Sequence, residues 1–294
     1  MANDMPGGTA FAKYRYPLRE CYMTSPFALS PIDLSPEAAR FYQRVIGTLR
    51  TAQVPVLVGG GYAFHSYTTI LRHTKDLDIF VTPVQAPAAL EALKQAGYRT
   101  ENKYPHWLAK AYEDDKFVDL IFNSGNGICP VDDEWFRYAR PAIILGEPVQ
   151  LVPIEEMIWQ KAFIMERHRY DGSDVVHLLH YYCESLDWDR LLRRFGEYWP
   201  VLLSALVLYR FAFPTDKPRR ADKILQSLLH RMEENLNGPP AARQPTVPLC
   251  RGTLLSLLDY LPAIDEWGYR DARLVPWGNL TSHDIALWTN TFEK

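Results

Sequence analysis

Two aspartates spaced by one residue, Asp76-Leu77-Asp78, open the strand-like run Ile79-Phe80-Val81. Alternate residues of a strand share a face, so Asp76, Asp78 and Phe80 point one way while Leu77, Ile79 and Val81 point into the core. Neighbouring carboxylates repel, a divalent cation between them removes the repulsion, and hard oxygen ligands suit Mg²⁺. A third carboxylate, Asp119, interrupts the apolar run Phe117-Val118-Asp119-Leu120-Ile121-Phe122. Brought beside the first two on a neighbouring strand, it completes a three-carboxylate, two-metal site. Such a site holds a triphosphate, activates an attacking hydroxyl and stabilises the leaving oxygen. The alternative for Asp119 is an edge-strand position facing water. Upstream, Val58 runs into Gly59-Gly60-Gly61 and then Tyr62-Ala63-Phe64-His65: strand, glycine turn, helix start. That turn offers backbone N–H groups and the positive end of a helix dipole to phosphate oxygens.

The elements that must position these residues are legible in the pattern. Ser35-Pro36-Glu37 starts a helix that continues from Ala38 to Leu49. Val54–Val58 and Leu77–Val81 read as strands, and Ala88–Ala96 as a helix closed by Gly97. Trp107–Tyr112 and Phe117–Phe122 pair around Glu113-Asp114-Asp115. Ile143–Leu145 and Val149–Val152 flank a turn at Gly146-Glu147-Pro148. From Pro153 the period turns helical, with Ile154, Met157, Ile158, Ala162 and Met165 on one stripe. Val175–Tyr182, Arg190–Phe195, Val201–Phe211, Ala221–Glu234 and Cys250–Tyr260 extend the helical pattern. Asn235–Leu249, rich in proline, reads as a loop. The plan is an α/β protein of the α+β kind: an N-terminal arm (1–34), a small mixed sheet with helices (35–152), and a helical domain with a C-terminal extension (153–294).

Composition fits that plan. At 294 residues with 47% hydrophobic and 23% charged residues, the chain is long enough for two packed units and excludes disordered and collagen-like classes. A net charge of −3 argues against a protein whose main business is coating nucleic acid, though not against local basic patches. The four cysteines form no CxxC pair, so neither a zinc framework nor a disulfide scaffold is indicated. Without an apolar leader or a membrane-length apolar run, a reduced, cytoplasmic location with no membrane partner is the expectation.

With these residues in view, the chain resembles the DNA polymerase beta-type nucleotidyltransferase superfamily, and within it the small bacterial, toxin-like proteins with a GG…R-x-T-x-D-x-D signature. Gly60-Gly61, Arg72-x-Thr74, Asp76-x-Asp78 and Asp119 match in order, and the likeness spans roughly residues 54–185. The resemblance implies transfer of a nucleoside monophosphate from an NTP, with ATP the expected donor, to an acceptor hydroxyl, releasing pyrophosphate. It implies two Mg²⁺ (or Mn²⁺) ions held by Asp76 and Asp78, with Asp119 joining the ion on the acceptor side. Glu155–Lys161 and Arg167–Asp174 look like the family's lysine-bearing helix and the Arg/Asp segment after it, with Lys161 on the nucleotide phosphates. The acceptor stays open among a small molecule, tRNA and a protein. The rival reading is a non-catalytic nucleotide- or partner-binding module, such as a toxin–antitoxin component.

Structural roles compete for several of these residues. Thr74 either fixes the turn before Asp76 or bonds a phosphate; Arg72 either binds a triphosphate or pairs with Asp76 or Asp78. Lys161 either reaches the polyphosphate or lays its stem along an apolar stripe. Asp171 and Asp174 suit a helix start, and Asp187-Trp188-Asp189 reads as a cap. His177, His180 and Cys183 share a helix face without a fourth metal ligand. His106 and Lys110 precede Asp119 and could approach an acceptor. Arg190, Arg193 and Arg194 form a basic edge that is solvated unless an acceptor RNA covers it.

Overall fold

The Ser35 side chain accepts the Ala38 N–H at 3.1 Å, and Pro36 occupies the first position of helix α1 (Pro36–Thr51), as the sequence predicts. The computed structural model describes residues 34–71, 74, 76–237 and 247–289. The N-terminal arm, apart from residue 34, and Arg72 lie outside the described residues. In α1, Phe41, Val45 and Leu49 recur at four-residue steps and are wholly buried.

Strand β1 (Leu57–Val58) leads through Gly59 into α2 (Gly60–Thr68), then β2 (Leu77–Phe80) and α3 (Ala86–Gln95). The meander β3 (Arg99–Tyr104), β4 (Leu108–Glu113) and β5 (Lys116–Ile121) follows. After α4 (Asp133–Arg137), β6 (Arg140–Ile144) and β7 (Glu147–Leu151) form a hairpin. These strands make one mixed sheet in the order β3-β4-β5-β2-β1-β7-β6. β2 runs parallel to β5 and antiparallel to β1, and β1 runs parallel to β7. Asp119 therefore sits on an interior strand, with β4 and β2 on its two sides, and the edge position weighed for it is corrected.

Helices α5 (Ile154–Ala162), α6 (Gly172–Tyr182), α7 (Trp188–Phe195), α8 (Trp199–Ala212) and α9 (Arg219–Asn237) come next. α5 packs on α6, α7 and α8, and α6 also packs on α2 behind the glycine turn. The chain then returns toward the sheet through β8 (Leu249–Cys250), α10 (Leu261–Asp265), β9 (Arg270–Asp271) and α11 (Ser282–Thr289). The helix predicted over Cys250–Tyr260 is absent. The Glu166 carboxylate takes the Leu257 N–H and the Ser256 hydroxyl, and the Leu255 carbonyl accepts from Met165, so tertiary hydrogen bonds claim this backbone. Among the described residues no helix is long and apolar enough to cross a membrane.

Candidate active site

Parallel pairing of β2 with β5 sets Asp78 opposite Asp119, and Asp76 lies at the mouth of β2. Carboxylate oxygens of Asp76, Asp78 and Asp119 all lie within 4.8 Å of one another; no other cluster with metal-ligand character occurs among the described residues. Burial, then the charges of Asp76 and Asp119, push Asp78 up to about 7. Burial also raises Asp119, against the opposing charge of Lys110. The Lys110 ammonium donates to Asp119 Oδ1 at 2.5 Å from the register position opposite it on β4. The Thr74 hydroxyl donates to the backbone carbonyl and the carboxylate of Asp76 at 3.1 and 3.2 Å, which fixes the turn into β2.

The glycine turn closes against the same carboxylates. The Gly59 N–H donates to the Asp78 carbonyl at 3.0 Å. Gly60 has φ of +53°, and a Cβ there would land on Asp78 Oδ2, so both conformation and space call for glycine. A Cβ at Gly61 would meet Thr74 at 3.1 Å. No side chain caps the start of α2, which leaves its first amides to the cavity.

That cavity, about 1180 Å³, is lined by the three aspartates, Gly60, Gly61, Thr74, Lys110 and Lys161. The Lys161 ammonium donates to Asp171 at 2.6 Å and Asp174 at 2.9 Å, and Arg169 forks onto Asp171. Burial works to raise Asp171, but Arg169 and Lys161 together hold it below the usual carboxylate range. The Asp171 side chain thus serves these two cations, and α6 receives no side-chain cap from it. Lys161 does not run its stem out to the rim: its side chain is 11% exposed.

Other sequence candidates disperse. His177 bonds the Ser173 carbonyl, His180 bonds Asp216, and Cys183 meets the Tyr209 hydroxyl, so the three share no metal. Asp187 accepts the Arg190 N–H at 3.0 Å and caps α7. His106 bonds the Gly125 carbonyl at 3.1 Å. Arg190 and Arg194 are not a solvated basic edge: Arg190 is buried on Glu155 and Glu156, and Arg194 binds Glu156 and Asp132. Sequence reasoning held Arg169 within the Arg/Asp segment Arg167–Asp174 without a role of its own and did not single out Trp288, yet both line the cavity. Arg169 could have been found from its place two residues before Asp171; nothing local marks Trp288.

The family described as "Uncharacterised nucleotidyltransferase" matches residues 37–207. No curated protein matches the sequence. Among solved structures, the antibiotic-resistance factor ANT(2'')-Ia is 16% identical, with 69% of this chain and 97% of that chain covered at a TM-score of 0.34. Lincomycin-bound LnuA, a lincosamide antibiotic adenylyltransferase, is 13% identical over 51% of this chain and 99% of that one, TM-score 0.36. JHP933 from Helicobacter pylori is 16% identical over 70% and 98%, TM-score 0.34. These superpositions are loose, and the sequence match alone bears on family.

Proposed function

The chain belongs to the Uncharacterised nucleotidyltransferase family, and from that premise we propose that it moves a nucleoside monophosphate from an NTP, ATP in our reading, to an acceptor hydroxyl. The observation that carries the proposal is the convergence of Asp76, Asp78 and Asp119 beside a turn where no side chain fits at Gly60. Within the family we place the chain with the minimal, toxin-like bacterial proteins, residues 35–152 forming the catalytic unit and 153–294 the helical unit against it.

The donor set suits a divalent cation. Three hard oxygen ligands crowd one point, and Asp78 is raised by its burial and then by the two neighbouring carboxylates, both of which a bound cation would offset. Asp76 and Asp78 would hold two Mg²⁺ or Mn²⁺ ions, and Asp119 the one nearer the acceptor. When bound, the ions neutralise the triphosphate and favour the deprotonated acceptor hydroxyl.

The chain's own residues do the rest by position and charge. Amides at Gly60-Gly61 receive phosphate oxygens at the uncapped start of α2. Thr74 keeps Asp76 in place. Lys161, with Arg72, supplies positive charge to the polyphosphate. The acceptor oxygen attacks the α-phosphorus while its proton passes by way of Asp119 toward solvent. The bond from the α-phosphorus to the bridging oxygen breaks, and pyrophosphate leaves with the electron pair.

The test is pyrophosphate release from each NTP, with Mg²⁺ and a cell extract as the source of acceptor. Asp76→Ala and Asp78→Ala should each lose at least about 100-fold, roughly 2.7 kcal/mol of barrier. Unchanged release by both folded variants sinks the proposal. Mg²⁺-dependent NTP binding without release in any extract favours the non-catalytic module instead.

A further inference from the structure

The side of the triad away from the glycine turn has a different chemistry. Sheet order puts β1 and its glycine turn on one flank of β2, and β5 and β4 on the other. Leu108 and Ile121 stand opposite each other two residues beyond Lys110 and Asp119, about 7 Å along the strands and on the same face. Both line the cavity, and the lining continues into Trp107 and Trp288. The Trp107 ring stacks on Tyr104, centroids 5.6 Å apart and planes 4° from parallel, and lies 6.0 Å from the Trp288 ring. The Trp107 indole N–H is buried and has no partner among the described residues. This is an apolar wall, its two indole planes inclined at 59° to each other, starting beside Asp119.

The C-terminal extension completes this wall from the far side. Leu254 contributes to the lining, and its carbonyl accepts from Asn126 at 2.7 Å. Asn279 donates to the Gly127 carbonyl at 3.1 Å. Trp288 lies so close to Gly125 that a Cβ there would enter its ring. Of the arginines that a polyanionic acceptor would seek on and after α7, Arg190 and Arg194 are spent on buried or half-buried carboxylates and Arg220 on Glu184, while Arg193 stays exposed.

Resting on the transferase reading above, we propose that the acceptor is a small hydroxylated compound with an apolar ring. Its ring lies against the wall of Leu108, Ile121, Trp107 and Trp288, and its hydroxyl reaches back toward Asp119. Indole faces suit such a body, because they bury much area at low conformational cost. Its size is set by a cavity shared with the nucleotide.

The full-length protein, Mg²⁺ and ATP labelled at the α-phosphate are incubated with three separate fractions of an extract of the source cells: a low-molecular-weight filtrate, total RNA, and protein freed of small molecules. Label should enter a compound in the filtrate. Trp288→Ala should lower that transfer by at least about tenfold, and Trp288→Phe should restore most of it. Gly125→Ala, which displaces the Trp288 ring from outside the wall, should act like Trp288→Ala and serves if that variant does not fold. Mg·ATP binding, followed by calorimetry, should be unchanged in all three variants. Label confined to RNA or protein overturns the inference and leaves the transferase reading standing, as does filtrate labelling indifferent to both Trp288→Ala and Gly125→Ala. Absence of label from every fraction overturns both.

Discussion

Asp78 and Asp119 hold one register position on the parallel strands β2 and β5, and Lys110 bonds Asp119 from β4 on the other side. Like charges across a strand pair destabilise a sheet. Lys110 answers Asp119, while burial first, and then the charges of Asp76 and Asp119, raise Asp78 against the opposing charges of Arg169 and Lys161. The fold tolerates at this point an arrangement that a cation would complete.

The first prediction follows from that strain. Asp78 titrates near 7 in the folded chain and near the ordinary carboxylate value when unfolded. The native state thus binds the extra proton between these values, and the destabilisation develops as pH rises and is complete above the folded value. Without metal, Asp78→Asn should therefore melt higher than the parent at about pH 8, the gap shrinking toward about pH 5.5. Mg²⁺ should raise the melting temperature of the parent at the higher pH and leave the variant nearly unmoved. Calorimetric melts over that range check both statements; a gap independent of pH refutes the first.

Gly60→Ala should be more damaging than an ordinary helix-terminal substitution. The left-handed backbone alone costs a β-carbon about 1–2 kcal/mol, and the added carbon meets Asp78 Oδ2. Urea unfolding should register that cost, and transfer should fall with displacement of the Asp78 carboxylate. Parent-like stability with parent-like transfer would mean that the turn can relax away from the triad.

Lys161→Gln separates a binding role from a structural one. Its ammonium is shared between Asp171 and Asp174 at the cavity wall, and Arg169 remains to serve Asp171. If the charge acts on the polyphosphate, KM for Mg·ATP should rise by about tenfold with a smaller change in kcat. A lowered melting temperature with unaltered KM would confine Lys161 to holding α5 against α6.

Much of the site was legible because its signals are local. Asp-x-Asp on a strand, an aspartate inside an apolar strand and a glycine turn before a helix each carry their own physics. What escaped depends on tertiary pairing. β3, with the sequence Arg99-Thr100-Glu101-Asn102-Lys103-Tyr104, lacks apolar alternation and is an edge strand because β4 offers it a partner. Lys110 stands out in the sequence only as a residue shortly before Asp119 that could approach an acceptor; its place opposite that carboxylate comes from the strand register. The false helix over Cys250–Tyr260 has the right residues, but Glu166, far away in sequence, takes its hydrogen bonds. The arginines of α7 read as a surface stripe since their acidic partners lie on α5 and before α4.

Those arginines give the last prediction. The Arg190 guanidinium donates to both Glu156 oxygens at 2.8 and 2.6 Å, pairs with Glu155 at 2.6 Å and stacks 4.1 Å from the Tyr138 ring centroid. Its side chain is 4% exposed and that of Glu156 is 0% exposed, so water cannot replace it. Arg190→Met keeps much of the volume but strands two carboxylates; Arg194, 3.1 Å from Glu156, can answer for one of them. Breaking such a pair costs about 3–5 kcal/mol, because the orphaned charge stays buried. Burial already raises Glu156 with Arg190 present, and the variant should raise it further. Its loss of stability should thus be largest above that raised value and shrink as pH falls toward about 4, where the unfolded carboxylate also takes up its proton. Urea unfolding of both proteins across that range decides it. A deficit constant with pH would show that Arg190 stabilises through its packing on Tyr138 and not through the charges of α5.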